Sequence, residues 1–172
     1  RDLSFYDCNK SFEDNFDFVI NKYSGDDFWL LNQYLYKQKV EGFTKKQLRS
    51  WAYCLHSSLQ YRNSNVKNGE VVYRGLSSNI CVPNDWKKGS RFYFPSFVST
   101  SKNINVAKYF AGYDGIILRI KITNNGTPGH NNYCRDISNI SEHEEEEEVL
   151  ITAFCIFTID KIEGKNYYLT CL

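Results

Sequence analysis

An arginine stands in this sequence where a strand pattern predicts an apolar residue. Arg74 follows Val71-Val72-Tyr73 and precedes Gly75. A guanidinium can bind phosphate through two parallel hydrogen bonds, and a neighbouring glycine lets a ligand approach the backbone. The pair is therefore a candidate phosphate site. The alternative is a solvated turn residue, the commoner role of an arginine beside a glycine at a strand end.

A second group of polar side chains closes a later strand pattern. Ser99-Thr100-Ser101 follow Phe94 and Phe97 and lead towards a short helix. Small hydroxyls in this position can hold a ribose or orient a carboxylate. The alternative is that a serine or threonine caps the helix that follows.

Five consecutive glutamates, residues 144–148, run directly into an apolar strand pattern. Glu144 and Glu145 fit a solvated loop, the usual place for a run of like charges. Glu146 and Glu148 abut the strand, and its period of two predicts both carboxylates on one face. Two carboxylates so close together are costly, which makes both functional candidates.

The order of these groups carries more information than any one of them. Segments 73–75 (Tyr-Arg-Gly), 97–101 (Phe-Val-Ser-Thr-Ser) and 146–151 (Glu-x-Glu-Val-Leu-Ile) together resemble the signature of arginine-specific mono-ADP-ribosyltransferases. That family includes vertebrate ectoenzymes and bacterial toxins. Segment 107–112 is similar to the family segment whose aromatic residue, here Phe110, packs on nicotinamide.

The resemblance implies a role for each motif. Glu148 would hydrogen-bond the ribose 2′-hydroxyl of NAD and stabilise the oxocarbenium-like state in which nicotinamide leaves. Arg74 would clamp the pyrophosphate, and Gly75 would bind the nicotinamide amide through its backbone. Ser99 would hold Glu148 and the ribose in position relative to each other, and Phe110 would pack on the nicotinamide ring.

The resemblance also implies the acceptor. In the family, glutamine two residues before the catalytic glutamate accompanies asparagine acceptors, so Glu146 implies arginine. A carboxylate can orient a guanidinium bidentately and take up its proton. The loop at about 136–145 is the implied acceptor-recognition turn, and its glutamates, Glu142 included, predict a preference for basic surroundings. The expected substrates are NAD and a protein or small guanidine acceptor.

Two other functions remain open. An NAD glycohydrolase would use the same residues with water as the acceptor, and only an acceptor assay separates it from a transferase. A catalytically inactive ligand-binding module would be marked by a missing arginine, serine or glutamate, and none is missing.

Helices are predicted in the first third of the chain. Two capping boxes, Ser11 with Asp14 and Thr44 with Gln47, begin the first and third helices, and a second helix is predicted from residue 26 or 27 until Gly42. The third helix carries an apolar stripe at helical spacing, made of Leu48, Trp51, Ala52, Leu55 and Leu59.

Strands are predicted beyond residue 70. The predicted strands are 71–73, 91–100, 115–123, 146–163 and 165–172, with one short helix at 105–111. Helices followed by strands indicate an α+β domain. The sequence lacks the G-x-G-x-x-G pattern that would indicate a doubly wound NAD fold. The resemblance implies a split, mostly antiparallel β-sandwich with the NAD cleft between its sheets. We expect a single ADP-ribosyltransferase domain over 1–172, with a helical part at 1–69 and a catalytic core at 70–172.

Composition limits the partners. The 172 residues include 21 basic and 20 acidic side chains, so no excess of charge favours nucleic acid, and no apolar run could span a membrane. The cysteine spacing and three scattered histidines give no reason to expect a metal site. We expect a monomer. Because the sequence lacks methionine, we also expect that residues preceding Arg1 were removed.

Cysteines and glycosylation sequons indicate the compartment. Six cysteines and sequons at Asn9, Asn125 and Asn139 are compatible with an oxidising, glycosylating environment, so we expect a secreted or cell-surface protein. Cys8 and Cys171, near opposite ends of the chain, are the predicted disulfide pair. The alternative for each cysteine is an inert buried thiol.

Overall fold

Within the residues that the structure describes, three α-helices precede the strands and a fourth lies among them. The computed structural model describes residues 11–25, 28–60, 65–80, 82–123 and 133–172. None of the helices in these ranges is long and apolar enough to cross a membrane. Their bounds are α1 (Phe12–Ser24), α2 (Phe28–Leu35), α3 (Lys45–Gln60) and α4 (Ile104–Ala111).

Side-chain caps begin α1 and α3 where the sequence predicts them. The Asp14 amide donates to the Ser11 hydroxyl at 3.0 Å, and the Ser11 amide donates back to the Asp14 carboxylate at 3.3 Å. Thr44 and Gln47 make the same reciprocal pair, at 2.9 and 3.2 Å. Both capping boxes are confirmed, and each satisfies amides that a helix N-terminus would otherwise leave unpaired.

The second helix is shorter than predicted, because it ends at Leu35 and not near Gly42. Lys37 adopts the left-handed conformation, with φ 59°, and the Gln38 amide donates to the Gln33 carbonyl at 2.9 Å. These are features of a Schellman motif, which normally uses glycine. Here a lysine forms it, so the sequence carries no recognisable stop signal.

The strands form one sheet in the order β2-β7-β8-β4-β1-β3-β6-β5. Neighbours run antiparallel except β4 and β8, which are parallel. The predicted α+β class and mostly antiparallel arrangement are confirmed. The bounds are β1 (Val71–Leu76), β2 (Arg91–Tyr93), β3 (Val98–Ser101), β4 (Ile116–Ile122), β5 (Cys134–Asp136), β6 (Glu148–Ile151), β7 (Ile156–Glu163) and β8 (Asn166–Cys171).

Two of the predicted strands are wrong in extent, because each is interrupted by a turn. The predicted strand 91–100 divides around Pro95, which lacks the amide hydrogen that a sheet ladder needs. The predicted strand 146–163 begins only at Glu148 and divides at a turn in which Phe154 has φ 63°. Strand β5 has no counterpart among the predicted strands, since three residues are too few to show a period.

Strands β1 and β3 diverge in the middle of the sheet. Their pairing consists of one register pair, Tyr73 with Ser101, whereas β1 pairs with β4 along its whole length. Beyond that pair the sheet opens into a smaller part (β3, β6 and β5) and a larger part (the other five strands). The Arg74 guanidinium crosses the opening, and its Nη1 donates to the Ser99 carbonyl at 2.7 Å.

The N-terminal helices pack on the smaller part of the sheet. Trp51 and Leu55 of α3 are fully buried, and they share a hydrophobic core with Phe97 before β3 and Leu150 of β6. Leu150 is the register partner of Ser99. The helical core therefore lies directly behind the strands that carry the serine and glutamate motifs.

Some predictions fall on residues outside the described ranges. They are the start of the second helix, Cys8, and the sequons at Asn9 and Asn125. Asn139, the third sequon, is exposed.

Two buried thiols meet where β8 passes the start of β7. The Sγ atoms of Cys155 and Cys171 lie 2.9 Å apart. This contact and burial raise the pKa of the Cys171 thiol. The predicted pairing of Cys171 with Cys8 stays a prediction, but within the described residues the thiol nearest to Cys171 belongs to Cys155.

We predict that a thiol–disulfide oxidant such as oxidised glutathione couples Cys155 to Cys171. The two thiols lose two protons and two electrons, and the oxidant is reduced to two thiols. Because the Cys171 pKa is raised, the reaction should be faster in alkaline buffer. Peptide mapping without reductant should find the linked peptides, also in a Cys54→Ser control. Quantitative alkylation of both cysteines after oxidation would refute the prediction, and a Cys8–Cys171 peptide would establish the other pairing.

Candidate active site

A cleft of about 490 Å³ opens where β1 and β3 diverge. The end of α1, the start of α2, α4 and the loop before β6 close its sides. Its volume is in the range of small-molecule sites. The six residues singled out from the sequence all line it: Arg74, Gly75, Ser99, Phe110, Glu146 and Glu148.

Arg74 lies within β1, on the face that packs into the core. Val72 and Leu76, its neighbours on that face, are buried. Burial lowers the pKa of the guanidinium, and the nearby Tyr23 and Glu148 oppose that shift. Its Nε is buried and has no hydrogen-bond partner among the described residues. The solvated-turn alternative is therefore wrong, and the orphaned N–H is suited to an anionic ligand such as a phosphate.

Gly75 is required by the packing of α4. A Cβ added there would lie 1.9 Å from the Ala107 carbonyl oxygen and 2.6 Å from the Ala111 nitrogen. Any side chain would therefore push away the helix that carries Phe110, which lines the cleft with about half of its side chain exposed. The glycine thus allows close approach of a helix as well as exposing backbone to the cleft.

Glu148 is a buried carboxylate. It is the first residue of β6, lies opposite Ser101 in the sheet, and is 5% exposed. The Ser141 hydroxyl donates to its Oε2 at 3.4 Å. Burial raises the pKa of Glu148 to about 7; a hydrogen bond from Ser99 opposes the shift, and the charge of Glu146 adds to it.

Glu146 reaches the cleft by a route that differs from the predicted one. It lies in a short 3-10 turn (Glu144–Glu146), and Glu147 has a left-handed φ of 46°. The alternation of a strand therefore does not relate Glu146 to Glu148, and the turn is what brings both to the cleft. Glu144 and Glu145 are exposed, as the solvated-loop interpretation predicts.

Among the cleft residues that were not recognisable from the sequence are Tyr23, Asn32 and His143, and Ser141, which contacts Glu148 from outside the cleft lining, was missed as well. Tyr23 fits the apolar stripe of α1, but its hydroxyl faces the cleft and accepts a hydrogen bond from the Asn32 amide at 3.1 Å. Ser141 touches Glu148, and its hydroxyl accepts the His143 amide at 3.1 Å. The available signal was that a buried tyrosine hydroxyl needs a polar partner.

The arrangement places opposite charges around one cavity. A guanidinium with an unpaired N–H lies on β1, and two carboxylates lie on and before β6. Such a site can bind a phosphate-containing ligand and stabilise positive charge developing beside it. In the described parts of the chain, no group of three or more His, Cys, Asp or Glu side chains could hold a metal ion.

A known protein family matches most of the chain. The family model described as ADP-ribosyltransferase exoenzyme matches residues 7–168. No curated protein sequence matches the chain significantly.

Solved structures share the fold. The Vis toxin of Vibrio splendidus, an ADP-ribosyltransferase solved with agmatine, is 22% identical over 98% of this chain and 75% of that chain, with a TM-score of 0.69. Exoenzyme S from Pseudomonas aeruginosa, solved with human 14-3-3 protein beta and carba-NAD, is 16% identical over 90% and 72%, with a TM-score of 0.69. The toxin BECa of C. perfringens, solved with NADH, is 21% identical over 94% and 44%, with a TM-score of 0.70.

We predict that burying Glu148 costs stability at neutral and alkaline pH. Its folded pKa of about 7 exceeds the ordinary 4.5, so between these values the native state holds a proton that the unfolded state has lost. Raising the pH through that window therefore destabilises the fold. At about pH 8 the free energy of unfolding of Glu148→Gln should exceed that of wild type by on the order of 3 kcal/mol, which raises its unfolding temperature; at about pH 5 the two proteins should be nearly equal.

The matched control is Glu147→Gln, because that neighbouring side chain is exposed. Thermal unfolding of the three proteins across this pH range decides the question. A Glu148→Gln difference that does not change with pH would contradict the prediction.

Proposed function

The chain belongs to the ADP-ribosyltransferase exoenzyme family, and on that premise we propose that it transfers ADP-ribose from NAD to arginine side chains. The observation that carries the proposal is the pair of carboxylates, Glu146 and Glu148, which line one cleft together with the Arg74 guanidinium. Glu148 assists cleavage of the bond between nicotinamide and ribose, and Glu146 binds the acceptor.

Bond cleavage depends on Glu148. The nicotinamide leaves with the electron pair of its bond to ribose C1, and positive charge develops on the ribose. The Glu148 carboxylate accepts a hydrogen bond from the 2′-hydroxyl and stabilises that charge, more strongly in the transition state than in bound NAD. In a buried site the stabilisation is stronger than in water. Positive charge on the nicotinamide ring of NAD also favours the ionised carboxylate.

Binding and orientation of NAD depend on the two diverging strands and α4. Arg74 clamps the pyrophosphate, for which its buried, unpaired Nε supplies a donor. Ser99 keeps Glu148 and the ribose in register, and the Gly75 backbone binds the nicotinamide amide. Phe110, which lines the cleft from α4, packs on the nicotinamide ring. These contacts position the reacting atoms.

Acceptor choice depends on Glu146. Its carboxylate, less buried than that of Glu148, binds the guanidinium bidentately and takes up the proton as an arginine nitrogen bonds to ribose C1. The structural relative Vis has been solved with agmatine, a small guanidine, which supports testing this class of acceptor. An NAD glycohydrolase is the second candidate, because water can take the acceptor position without any change in the Glu148 machinery.

We also propose that the protein is secreted and acts as a monomer on a protein acceptor. Its structural relatives include proteins described as toxins, and its family is described as an exoenzyme family. Intact mass and size-exclusion measurements on culture supernatant would test both points.

Arginine transfer predicts the results for four proteins in one assay with labelled NAD and agmatine. Wild type should form labelled ADP-ribosyl-agmatine, and Glu148→Gln should lose this activity and nicotinamide release by about 10²-fold or more. Glu146→Gln should lose transfer but keep nicotinamide release, because only the acceptor contact is removed. Glu147→Gln, an exposed neighbour, should resemble wild type. Nicotinamide release without any adduct would identify a glycohydrolase instead.

The glutamates before β6 predict a preference for arginines in basic surroundings. The Glu142 carboxylate lies over Gly25, which lines the cleft, and Glu144 and Glu145 are exposed nearby. Replacing all three by glutamine should lower kcat/KM for a lysine-flanked arginine peptide roughly three- to tenfold relative to a serine-flanked one, and salt should reduce the difference. The charge-matched control is the triple variant Glu41→Gln, Asp85→Asn and Glu163→Gln, whose three exposed carboxylates do not line the cleft. An unchanged ratio of the two peptides would refute the preference.

A further inference from the structure

A polar stripe on α1 holds the loop that precedes the catalytic strand. The loop between β5 and β6 (137–147) carries Glu146 at one end and Ser141 in its middle. Three residues at helical spacing on α1, Asp17, Asn21 and Ser24, contact β5 or this loop. Positions i, i+4 and i+7 lie on one face of a helix, so the three contacts come from one side of α1.

The two contacts nearest the cleft flank Ser141. The Asn21 side-chain amide donates to the Ile140 carbonyl at 2.9 Å, and the Glu142 amide donates to the Ser24 hydroxyl at 3.0 Å. The Ser24 hydroxyl in turn donates to the Asn21 carbonyl at 2.9 Å. The residues on both sides of Ser141 are therefore fixed to α1, more than a hundred positions away in sequence.

Fixing these residues determines where the loop's functional groups lie. The Ser141 hydroxyl donates to Glu148 and accepts the His143 amide, which begins the turn that leads to Glu146. The loop's exit is held separately, because the Lys102 amide donates to the Glu147 carbonyl at 3.1 Å. The α1 contacts and the Lys102 contact thus hold the segment that presents Glu146 from both ends.

We propose that Asn21 and Ser24 are positioning residues that decide how ADP-ribose is divided between an arginine acceptor and water. This inference rests on the proposed arginine transfer. Without the two contacts the loop can leave α1, and Glu146 no longer holds the guanidinium at the distance and angle that attack requires. The groups proposed to bind NAD lie on β1, β3 and α4 and make neither contact. Glu148 keeps its strand pairing with Ser101 and its hydrogen bond from Ser99 when the Ser141 hydroxyl moves away, so NAD binding and hydrolysis continue.

The test uses variants that remove one hydrogen bond each. Asn21→Asp has nearly the same shape but lacks the donor, and Ser24→Ala lacks the acceptor. Each should lower the ratio of ADP-ribosyl-agmatine formed to nicotinamide released roughly tenfold, with KM for NAD unchanged. Ser24→Thr keeps the hydroxyl and should restore the ratio. Ser11→Ala, which removes the cap at the other end of α1, is the control for simple destabilisation of the helix.

Hydrogen exchange supplies a readout that does not depend on the acceptor. The Glu142 amide should exchange faster in Ser24→Ala and Asn21→Asp than in Ser11→Ala, while β6 amides stay protected. If wild type transfers ADP-ribose to agmatine and the two variants have the same product ratio as wild type, the inference is overturned. Unchanged exchange of the Glu142 amide in the variants would also overturn it. If wild type forms no agmatine adduct, the proposed function fails, and exchange at Glu142 still decides whether α1 holds the loop.

Discussion

The divergence of β1 from β3 is the constraint on which the site depends. Strands that separate after one register pair leave backbone groups that the ladder no longer satisfies, and such groups are costly in a partly buried place. Here the Arg74 guanidinium supplies the missing donor to the Ser99 carbonyl. The side chain that satisfies the Ser99 carbonyl therefore also lines the cleft. An apolar residue at position 74 would suit the core face of β1 but would leave both the carbonyl and the ligand without a donor.

The helices give the opening its rigidity. Trp51 and Leu55 pack behind Phe97 and Leu150, and Leu150 is paired with Ser99 across β3 and β6. This apolar support keeps the smaller part of the sheet in place while its other edge faces a cavity. It also withdraws Glu148 from water, which raises the pKa of that carboxylate. Burial of Glu148 therefore lowers the stability of the fold at the residue that the proposed chemistry needs, which is a common relation between active sites and stability.

Local chemistry made part of this structure predictable. The capping boxes at Ser11 and Thr44 are short-range patterns whose partners lie three residues away, and both formed. Arg74, Ser99, Glu146 and Glu148 were found because strand patterns reveal misplaced polar groups. Gly75 was found as the neighbour of Arg74, and Phe110 was found only through the resemblance to a known family. The end of α2 was not predictable because a lysine occupies the left-handed position that normally carries glycine. The turn that presents Glu146 is held by contacts with α1 and Lys102, which no short window contains. The contacts of Asn21 and Ser24 with the loop before β6 were not predictable either, because their partners lie over a hundred residues away.

Strand β8 is the last strand in sequence, yet it lies between β4 and β7 and pairs with both. During synthesis on the ribosome, the larger part of the sheet therefore lacks an interior strand until residues 166–171 have emerged. Parallel pairing between β4 and β8 also has to close a long stretch of chain, which makes it a slow step. This domain thus remains incompletely folded until β8 has left the ribosome, and the cleft beside β4 and β1 is completed late.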